Sequence, residues 1–222
     1  GLPWTLNIAL SEIWQAANMS LANAWMLTQG AVDAIQEHGT SEQKATYLPK
    51  LISGEWSGTM NLTEPNAGSD VGALRMKAVA ENGAWKITGT KIFITHGDQD
   101  MSENVVHLVL ARTPNAPEGT RGISLFVVPK LMVEPDGSLG TRNDLRVVSL
   151  EHKLGHMASP TAVMSYGDNE GAIGYLLGEE NQGMACMFTM MNSARLNVAV
   201  QGLAIAERAY QRALQWAKER IQ

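Results

Sequence analysis

The segment with the clearest potential for chemistry runs from Met60 to Asp70 and reads Met-Asn-Leu-Thr-Glu-Pro-Asn-Ala-Gly-Ser-Asp. Gly68 lets the backbone approach a ligand closely, and Ser69 offers a hydroxyl and an amide to a phosphate oxygen. Thr63 offers a second hydroxyl on the strand side of the turn. Such a loop can hold a nucleotide without a lysine. The segment lacks the Walker and Gly-x-Gly-x-x-Gly patterns, so it supports neither a P-loop nor a Rossmann domain.

The same segment also has a purely structural explanation. Pro65 and Asn66 favour a turn, and Asp70 is a residue type that caps the element that follows it. The spacing of the residues leaves both interpretations open.

A histidine pair raises the question of a metal site. His152 and His156 are four residues apart, the spacing that places two zinc ligands on one face of a helix. Gly155 interrupts a helix there, no third ligand is apparent, and Lys153 adds a positive charge. We therefore predict no metal site and place both histidines in a loop.

Composition limits the class of protein. The chain has 222 residues, 45% of them hydrophobic, which is enough for a buried core. The net charge of −5 offers no electrostatic footprint for nucleic acid. The single cysteine, Cys186, cannot form an internal disulfide and indicates a reducing compartment. No apolar run reaches the roughly 18 residues of a membrane span, and no signal peptide is visible. These features predict a soluble, cytoplasmic protein without a membrane span.

The first quarter of the chain is predicted to be helical. Apolar residues recur at helical steps in two segments within residues 6–35. Thr40 and Gln43 form a capping-box pattern that begins a short helix. We expect this helix to be disturbed near Pro49 and to end at Gly54.

The middle of the chain is predicted to be antiparallel β structure. Asn82-Gly83, between the strand-like runs Leu74–Ala80 and Ala84–Thr88, is the strongest short hairpin signal in the sequence. Stretches rich in Pro, Gly, Asn and Asp separate further strand-like runs at Lys91–Thr95, Val105–Ala111, Gly122–Val128 and Thr161–Tyr166.

From Gln182 the helical pattern returns and predicts a helix of more than roughly 35 residues. One small β domain cannot bury the apolar stripe of so long a helix, so we expect partner helices outside these residues. The predicted fold is α+β. A helical N-terminal part at 1–55 precedes a central antiparallel β domain at 56–176 and the start of a C-terminal helical bundle at 177–222.

Four ordered segments resemble the acyl-CoA dehydrogenase family. Thr63–Asp70 is similar to its T-E-P-x-A-G-S-D signature, and Gly89–Thr95 to its G-x-K-x-[WFY]-I-[TS] strand. Leu177–Met184 resembles the turn into the family's longest helix. Arg195 resembles an arginine on that helix, and Glu219-Arg220 resembles the Glu-Arg that precedes the family's aromatic-glycine pair. The resemblance covers essentially the whole chain.

The resemblance implies that FAD is the cofactor. The positions that match flavin contacts are Met60, Leu62, Thr63, Gly68, Ser69, Phe93, Ile94 and Thr95. Thr95 would donate a hydrogen bond to flavin N5, and Phe93 would occupy an aromatic position that is often Trp.

The resemblance also implies residues for an acyl-CoA substrate. Asn192 and Arg195 match positions that hold the nucleotide end of coenzyme A, and Ser69 lies near the phosphopantetheine. Asn192 departs from the Asp of some relatives. Arg220 matches a residue that reaches the flavin pyrophosphate of a partner subunit, which implies a homodimer or homotetramer. Judged by local sequence alone, Arg220 is a solvated residue at a helix end.

The reaction implied by the resemblance removes a proton beside the thioester carbonyl and passes a hydride from the next carbon to flavin N5. A carboxylate must take the proton. A minority of relatives place it on the long helix, where this chain has Ala194. We therefore predict no catalytic residue within the chain, expect the base outside it, and expect an electron-transfer flavoprotein to accept the electrons.

Two runs indicate a branch of the family. Met187–Arg195 and Glu151–Gly155 resemble the longer bacterial enzymes, which include those for 3-methylthiopropanoyl-CoA. Three alternatives stay open: an oxidase of the same fold, an alkylation-response-type flavoprotein, and a non-enzymatic binding module. The acidic composition argues against a DNA-linked role.

Overall fold

The computed structural model describes residues 3–221, which contain three helices and ten strands. Gly1, Leu2 and Gln222, at the ends of the predicted segments, lie outside the described residues. The helices are α1 (Trp4–His38), α2 (Ser41–Ser53) and α3 (Gly183–Glu219). The strands are β1 (Trp56–Asn61), β2 (Lys77–Glu81), β3 (Ala84–Thr95), β4 (Asn104–Ala111), β5 (Ser124–Pro129), β6 (Leu131–Val133), β7 (Leu139–Arg142), β8 (Leu145–Leu150), β9 (Thr161–Tyr166) and β10 (Ala172–Leu177). This order confirms the predicted α+β class.

Helix α1 covers both predicted helical segments, and its kink at Asn18 (φ −155°, ψ 92°) lies inside the first of them, which the sequence did not indicate. The Asn18 side chain caps the segment after the kink by accepting a hydrogen bond from the Leu21 amide at 3.1 Å. This segment lies directly on β1, where Thr28 Oγ1 accepts a hydrogen bond from the Gly58 amide at 3.0 Å. A Cβ atom at Gly58 would lie 2.4 Å from that of Ala31. The glycine therefore permits the close approach of α1 to the sheet.

Helix α2 begins with the predicted capping box. Thr40 Oγ1 accepts a hydrogen bond from the Gln43 amide, and the Gln43 side chain accepts one from the Thr40 amide. The helix ends, as predicted, at Gly54, which has a left-handed φ of 83°. The predicted disturbance at Pro49 is wrong, because α2 continues through it. Burial of the core-facing side chains offsets the roughly 3 kcal/mol cost of an interior proline. These side chains are Tyr47, Leu48 and Leu51.

Eight strands form one sheet in the order β1-β4-β5-β10-β3-β9-β8, with β2 also paired to β3, while β6 and β7 pair separately. Asn82-Gly83 joins β2 to β3 with both residues at positive φ, which confirms the predicted hairpin. The prediction of a purely antiparallel middle is wrong for one pair. Strands β1 and β4 are parallel, with Trp56 opposite Asn104 and Asn61 opposite Val109. The β2–β3 hairpin supplies the long crossover that a parallel pair requires.

Strand β4 is buried on both faces and separates two hydrophobic clusters. Val106, Leu108 and Leu110 belong to the cluster that includes the core residues of all three helices. Val109 and Ala111 face a second cluster, which includes residues of β2, β3, β5, β8, β9 and β10. A strand buried on both faces is expected to be largely apolar, and β4 is so except for Asn104 and His107, which are also buried.

Helix α3 is 37 residues long, which confirms its predicted length, and it packs along α1. A Cβ atom at Gly30 of α1 would lie 2.7 Å from Met190 Cγ, so the helices touch closely there. The start of α3 is fixed to the sheet, since the Gly183 amide donates to Ile123 O at 2.8 Å.

Among residues 3–221, no helix combines the length and apolarity needed to cross a membrane. Exposed apolar side chains in the second half of α3 include Ile205, Tyr210 and Trp216. The division of the chain after residues 55 and 176 stays a prediction.

We expect Gly183→Ala to lower the free energy of unfolding by about 1–3 kcal/mol. The new methyl group would lie 2.4 Å from the backbone carbonyl carbon of Ser124, which cannot move independently of β5. Gly202→Ala in the same helix is the matched control, because nothing lies within 4 Å of its Cβ position. Alanine is the better helix former, so this control should gain about 0.5–1 kcal/mol. Denaturant unfolding measures both changes, and equal effects would contradict the contact between α3 and β5.

Candidate functional site

A buried ion pair joins the loop after β1 to the middle of β3. Lys91 Nζ lies 2.9 Å from Glu64 Oε1, and the side chains are 0% and 4% exposed. Lys91 Nζ also donates to Leu62 O at 2.8 Å. Burial lowers the pKa of Lys91 to about 8, against the opposing effect of the Glu64 charge and hydrogen bond. The pair therefore holds together the loop and the strand that the sequence singled out separately.

The Glu64 carboxylate also fixes the far side of the loop. It accepts hydrogen bonds from the backbone amides of Arg75 at 2.6 Å and Met76 at 3.1 Å. Glu64 and Ala67 exchange two backbone hydrogen bonds of 3.0 Å, which closes the turn between them. The turn that Pro65 favours is therefore present. The proposed cap is absent, because the Asp70 side chain makes no capping hydrogen bond to the short turn that follows.

The outward side of this loop is open. Gly68 and Ser69 are exposed. A Cβ atom at Gly68 would have no neighbour within 4 Å, so neither packing nor backbone strain explains a glycine there. Thr63 is partly exposed, and its carbonyl accepts a hydrogen bond from the Ile92 amide at 2.9 Å. The loop thus presents an amide, two hydroxyls and an unobstructed backbone beside β3.

Met60 and Leu62 lie at the end of β1 and in the start of the loop. Both are partly buried and pack against the hydrophobic cluster beneath the helices. Each therefore keeps only part of its side chain accessible, next in sequence to Asn61 and Thr63.

Strand β3 contains a bulge at the residues predicted to contact the flavin ring, Phe93, Ile94 and Thr95. The register with β9 shifts between Lys91 and Ile94, and Phe93 has a left-handed φ of 61°. Phe93 is consequently 57% exposed, whereas Ile94 is 2% exposed. The Ile94 side chain lies in the core, so only its backbone is available to a ligand. Thr95 is partly exposed and pairs with Thr161 of β9. The sequence pattern carries no signal for a bulge at an aromatic residue.

The loop at residues 151–160 covers the end of β3. The His96 amide donates to Pro160 O at 2.8 Å, and His96 Nε2 lies 3.2 Å from Ser159 Oγ. Lys153 Nζ donates to Ser159 O and to Thr161 Oγ1. Burial, together with the positive charge of Lys153, lowers the pKa of His96. His96 is therefore neutral at pH 7.

The same loop also contacts the helices. His156 Nδ1 lies 3.0 Å from Asn23 Nδ2 of α1, and Gln201 Nε2 of α3 donates to Asn23 Oδ1 at 2.5 Å. His152 and His156 thus lie in a loop and not on a helical face. A chain of contacts links the end of β3, this loop, α1 and α3 around one region of the molecule.

Two of the three residues predicted for the substrate lie on α3, whereas Ser69 lies in the loop after β1. Asn192 and Arg195 are exposed on the first third of the helix. The Arg195 guanidinium carbon lies 5.1 Å from the centre of the Phe188 ring. Arg220 is the exposed C-cap residue, roughly 37 Å further along the helix than Arg195 at 1.5 Å per residue. The fold therefore does not bring Arg220 close to Arg195.

A buried polar network behind β1 was not predicted from the sequence. Thr59 Oγ1 lies 2.7 Å from His107 Nδ1 and accepts a hydrogen bond from Asn61 Nδ2 at 2.9 Å. Tyr166 donates to Asn61 Oδ1 at 2.9 Å. Burial lowers the pKa of His107 to about 3, so its ring is neutral. Thr59 and Asn61 alternate with Met60 along β1, and this alternation of polar side chains was the available signal.

We expect Lys91→Met to lower the free energy of unfolding by about 3–5 kcal/mol, because it leaves the Glu64 carboxylate buried without its cation. The double variant Lys91→Met with Glu64→Gln removes both charges and should recover part of the loss. Arg146→Met is the matched control, since the Arg146–Asp168 pair is 60% and 37% exposed. An exposed pair contributes about 0–1 kcal/mol. Similar losses in the Lys91 and Arg146 variants would refute the structural role of the buried pair.

Two family models match the chain. The model for the acyl-CoA dehydrogenase N-terminal domain matches residues 1–55, and that for the middle domain matches residues 59–168. Acyl-CoA dehydrogenases are FAD-dependent flavoprotein oxidoreductases.

Similarity to known proteins extends over the whole chain. All of this chain aligns with 3-methylmercaptopropionyl-CoA dehydrogenase of Ruegeria pomeroyi at 60% identity, and the alignment covers 37% of that relative. The solved butyryl-CoA dehydrogenase from Megasphaera elsdenii has a TM-score of 0.79 at 26% identity, over 97% of this chain and 53% of that one. A chain in the structure of the electron transferring flavoprotein of Acidaminococcus fermentans has a TM-score of 0.80 at 31% identity, with the same coverage.

The chain thus spans from about a third to about half of the length of these relatives. The two domain models match successive parts of the chain, and the loop and strand that carry the resemblance lie side by side in the fold. On this evidence the chain belongs to the acyl-CoA dehydrogenase family.

Proposed function

We propose that this chain is part of an FAD-dependent acyl-CoA dehydrogenase that introduces a double bond beside the thioester carbonyl. The observation that supports this most strongly is the attachment of the Thr63–Ser69 loop to β3 by the Glu64–Lys91 pair. The pair joins the loop that carries the exposed Ser69, our proposed phosphate contact, to the strand that carries the exposed ring of Phe93. FAD, when bound, accepts the hydride that leaves the substrate.

The residues present fit a flavin nucleotide. The open space at Gly68 admits a ligand against the backbone, and the Ser69 amide and hydroxyl are suited to a phosphate oxygen. Phe93 presents its ring to solvent, where it can lie against another planar group. Thr63 and Thr95 supply hydroxyl groups, while Ile94 would contribute through its backbone. Met60 and Leu62 would form an apolar border.

The substrate-binding residues in this proposal are Ser69, Asn192 and Arg195. The guanidinium of Arg195 suits the phosphate groups of coenzyme A, because a charge-assisted contact is stronger than a neutral one. Asn192 lies three residues earlier and therefore on the same side of α3. Ser69 would contact the phosphopantetheine portion next to the cofactor.

The proton from the substrate requires a carboxylate outside the residues described. Glu64 is not available, since its oxygens accept hydrogen bonds from Lys91 and from the Arg75 and Met76 amides. Ala194 occupies the position on α3 where some relatives have the base. We therefore place the base in another part of the complete enzyme.

The proposal extends to the assembly and its partners. Arg220 lies at the far end of α3, which suits a contact with the flavin of a partner subunit in a homodimer or homotetramer. An electron-transferring flavoprotein is the proposed acceptor of the electrons, and the cytoplasm is the proposed location. The activity test is to mix the intact protein with butyryl-CoA or 3-methylmercaptopropionyl-CoA and an artificial electron acceptor. Enoyl-CoA formation supports the proposal, whereas hydrogen peroxide as the main reduced product would identify an oxidase.

We expect the intact protein to bind FAD without a covalent bond and Gly68→Ala to weaken that binding by about tenfold or more, because a methyl group would occupy ligand space. The stability of the FAD-free protein should not change, since this methyl group meets no protein atom. Fluorescence titration with FAD and unfolding curves of the FAD-free protein measure the two quantities. Gly202→Ala is the control for binding. A wild-type protein that stays colourless with added FAD would reject the cofactor assignment.

We expect Arg195→Ala to raise KM for the acyl-CoA by roughly 10- to 100-fold, the range that corresponds to the loss of a charged hydrogen bond. FAD affinity should stay the same. Arg212→Ala removes an exposed arginine elsewhere on α3 and serves as the control. An unchanged KM in Arg195→Ala, or an equal rise in Arg212→Ala, would count against a specific phosphate contact.

A further inference from the structure

Phe188 and Arg195 form a cation–π pair on the exposed side of α3. They are seven residues apart, which places them two turns apart on one face of the helix. The guanidinium carbon lies 5.1 Å from the ring centre, within the range of a cation–π contact. Phe188 is 37% exposed, so part of its ring is accessible beside Arg195.

The rotation of α3 fixes the direction of this pair. Met187 and Met190 are fully buried, and Met190 packs against Gly30 of α1. Thr189 Oγ1 also lies 2.8 Å from His38 Nε2 at the end of α1. These contacts hold one side of the helix against α1. The side that carries Phe188 and Arg195 consequently faces outward.

Within residues 3–221, Arg195 forms no ion pair with a carboxylate. A free arginine side chain has many rotamers, and ordering them costs free energy when a ligand binds. The guanidinium carbon lies over the Phe188 ring, and a favourable contact there restricts these rotamers. The N–H groups lie at the edge of the guanidinium and stay free to donate to an anion.

We propose that Phe188 is a positioning residue that holds Arg195 ready for the phosphate groups at the nucleotide end of coenzyme A. This inference rests on the proposed function of Arg195. It adds a residue to the site that carries no charge and need not touch the phosphates itself. Its effect should therefore appear only in the part of binding that depends on Arg195.

The test compares two thioesters of the same acyl group in the intact protein, one of coenzyme A and one of pantetheine, which lacks the nucleotide. Phe188→Leu should raise KM for the coenzyme A thioester about two- to fivefold, the factor that corresponds to an exposed cation–π contact. KM for the pantetheine thioester and kcat should not change. Calorimetric titration of Phe188→Leu with free coenzyme A should show the same loss of affinity. Phe188→Tyr keeps an aromatic ring and should bind coenzyme A with wild-type affinity. Leu196→Ala, which alters an exposed apolar neighbour of Arg195, is the control.

A double-mutant cycle separates this inference from the proposed function. In an Arg195→Ala background, Phe188→Leu should have no further effect on the affinity for coenzyme A. Additive losses, or equal losses with both thioesters, would overturn the positioning role of Phe188. If Arg195→Ala itself does not change the preference for coenzyme A over pantetheine, the phosphate contact is wrong. A loss in Phe188→Leu without that contact would also refute the inference.

Discussion

Glu64 and Lys91 place a carboxylate and an ammonium group in the interior, where neither can remain without the other. A buried ion pair contributes little net stability, because the loss of hydration offsets most of the attraction. Its consequence here is positional. The same carboxylate binds the amides of Arg75 and Met76, and the same ammonium group binds Leu62 O. Three segments of chain therefore meet at one point, and the open face of the loop lies next to the bulge of β3.

The strands on both sides of this attachment divide their side chains between the interior and the surface. Along β1 the polar side chains of Thr59 and Asn61 point into a buried network with His107, while Met60 faces the opposite side. At the bulge in β3, the ring of Phe93 is exposed although its neighbour Ile94 is in the core. The buried side chains thus hold the sheet together, and the ring of Phe93 is among the side chains that stay exposed at this end of β3.

The sequence predicted features with local causes and missed those that depend on tertiary contacts. The Thr40–Gln43 capping box and the Asn82-Gly83 turn are determined by neighbouring residues, so both were predicted correctly. The parallel pairing of β1 with β4 depends on where a distant hairpin crosses, and no local pattern encodes it. Lys91 was visible as part of a strand motif, but its partner Glu64 is 27 residues away, and spacing does not show such a contact. Thr63, Gly68 and Ser69 were candidates from their residue types alone, the other candidate residues came from the resemblance, and all of their roles stay predictions.

Hydrogen exchange in the intact protein at the amides of Arg75, Met76 and Ile92 tests the central claim most directly. The first two amides donate to Glu64, and the third donates to Thr63 O. If the buried ion pair joins these segments, all three amides should exchange only through global unfolding, with the same free energy as the core strand β4. Exchange at any of the three through a low-energy local opening, while β4 stays protected, would show that the loop separates from β3 in the native protein and would contradict this account.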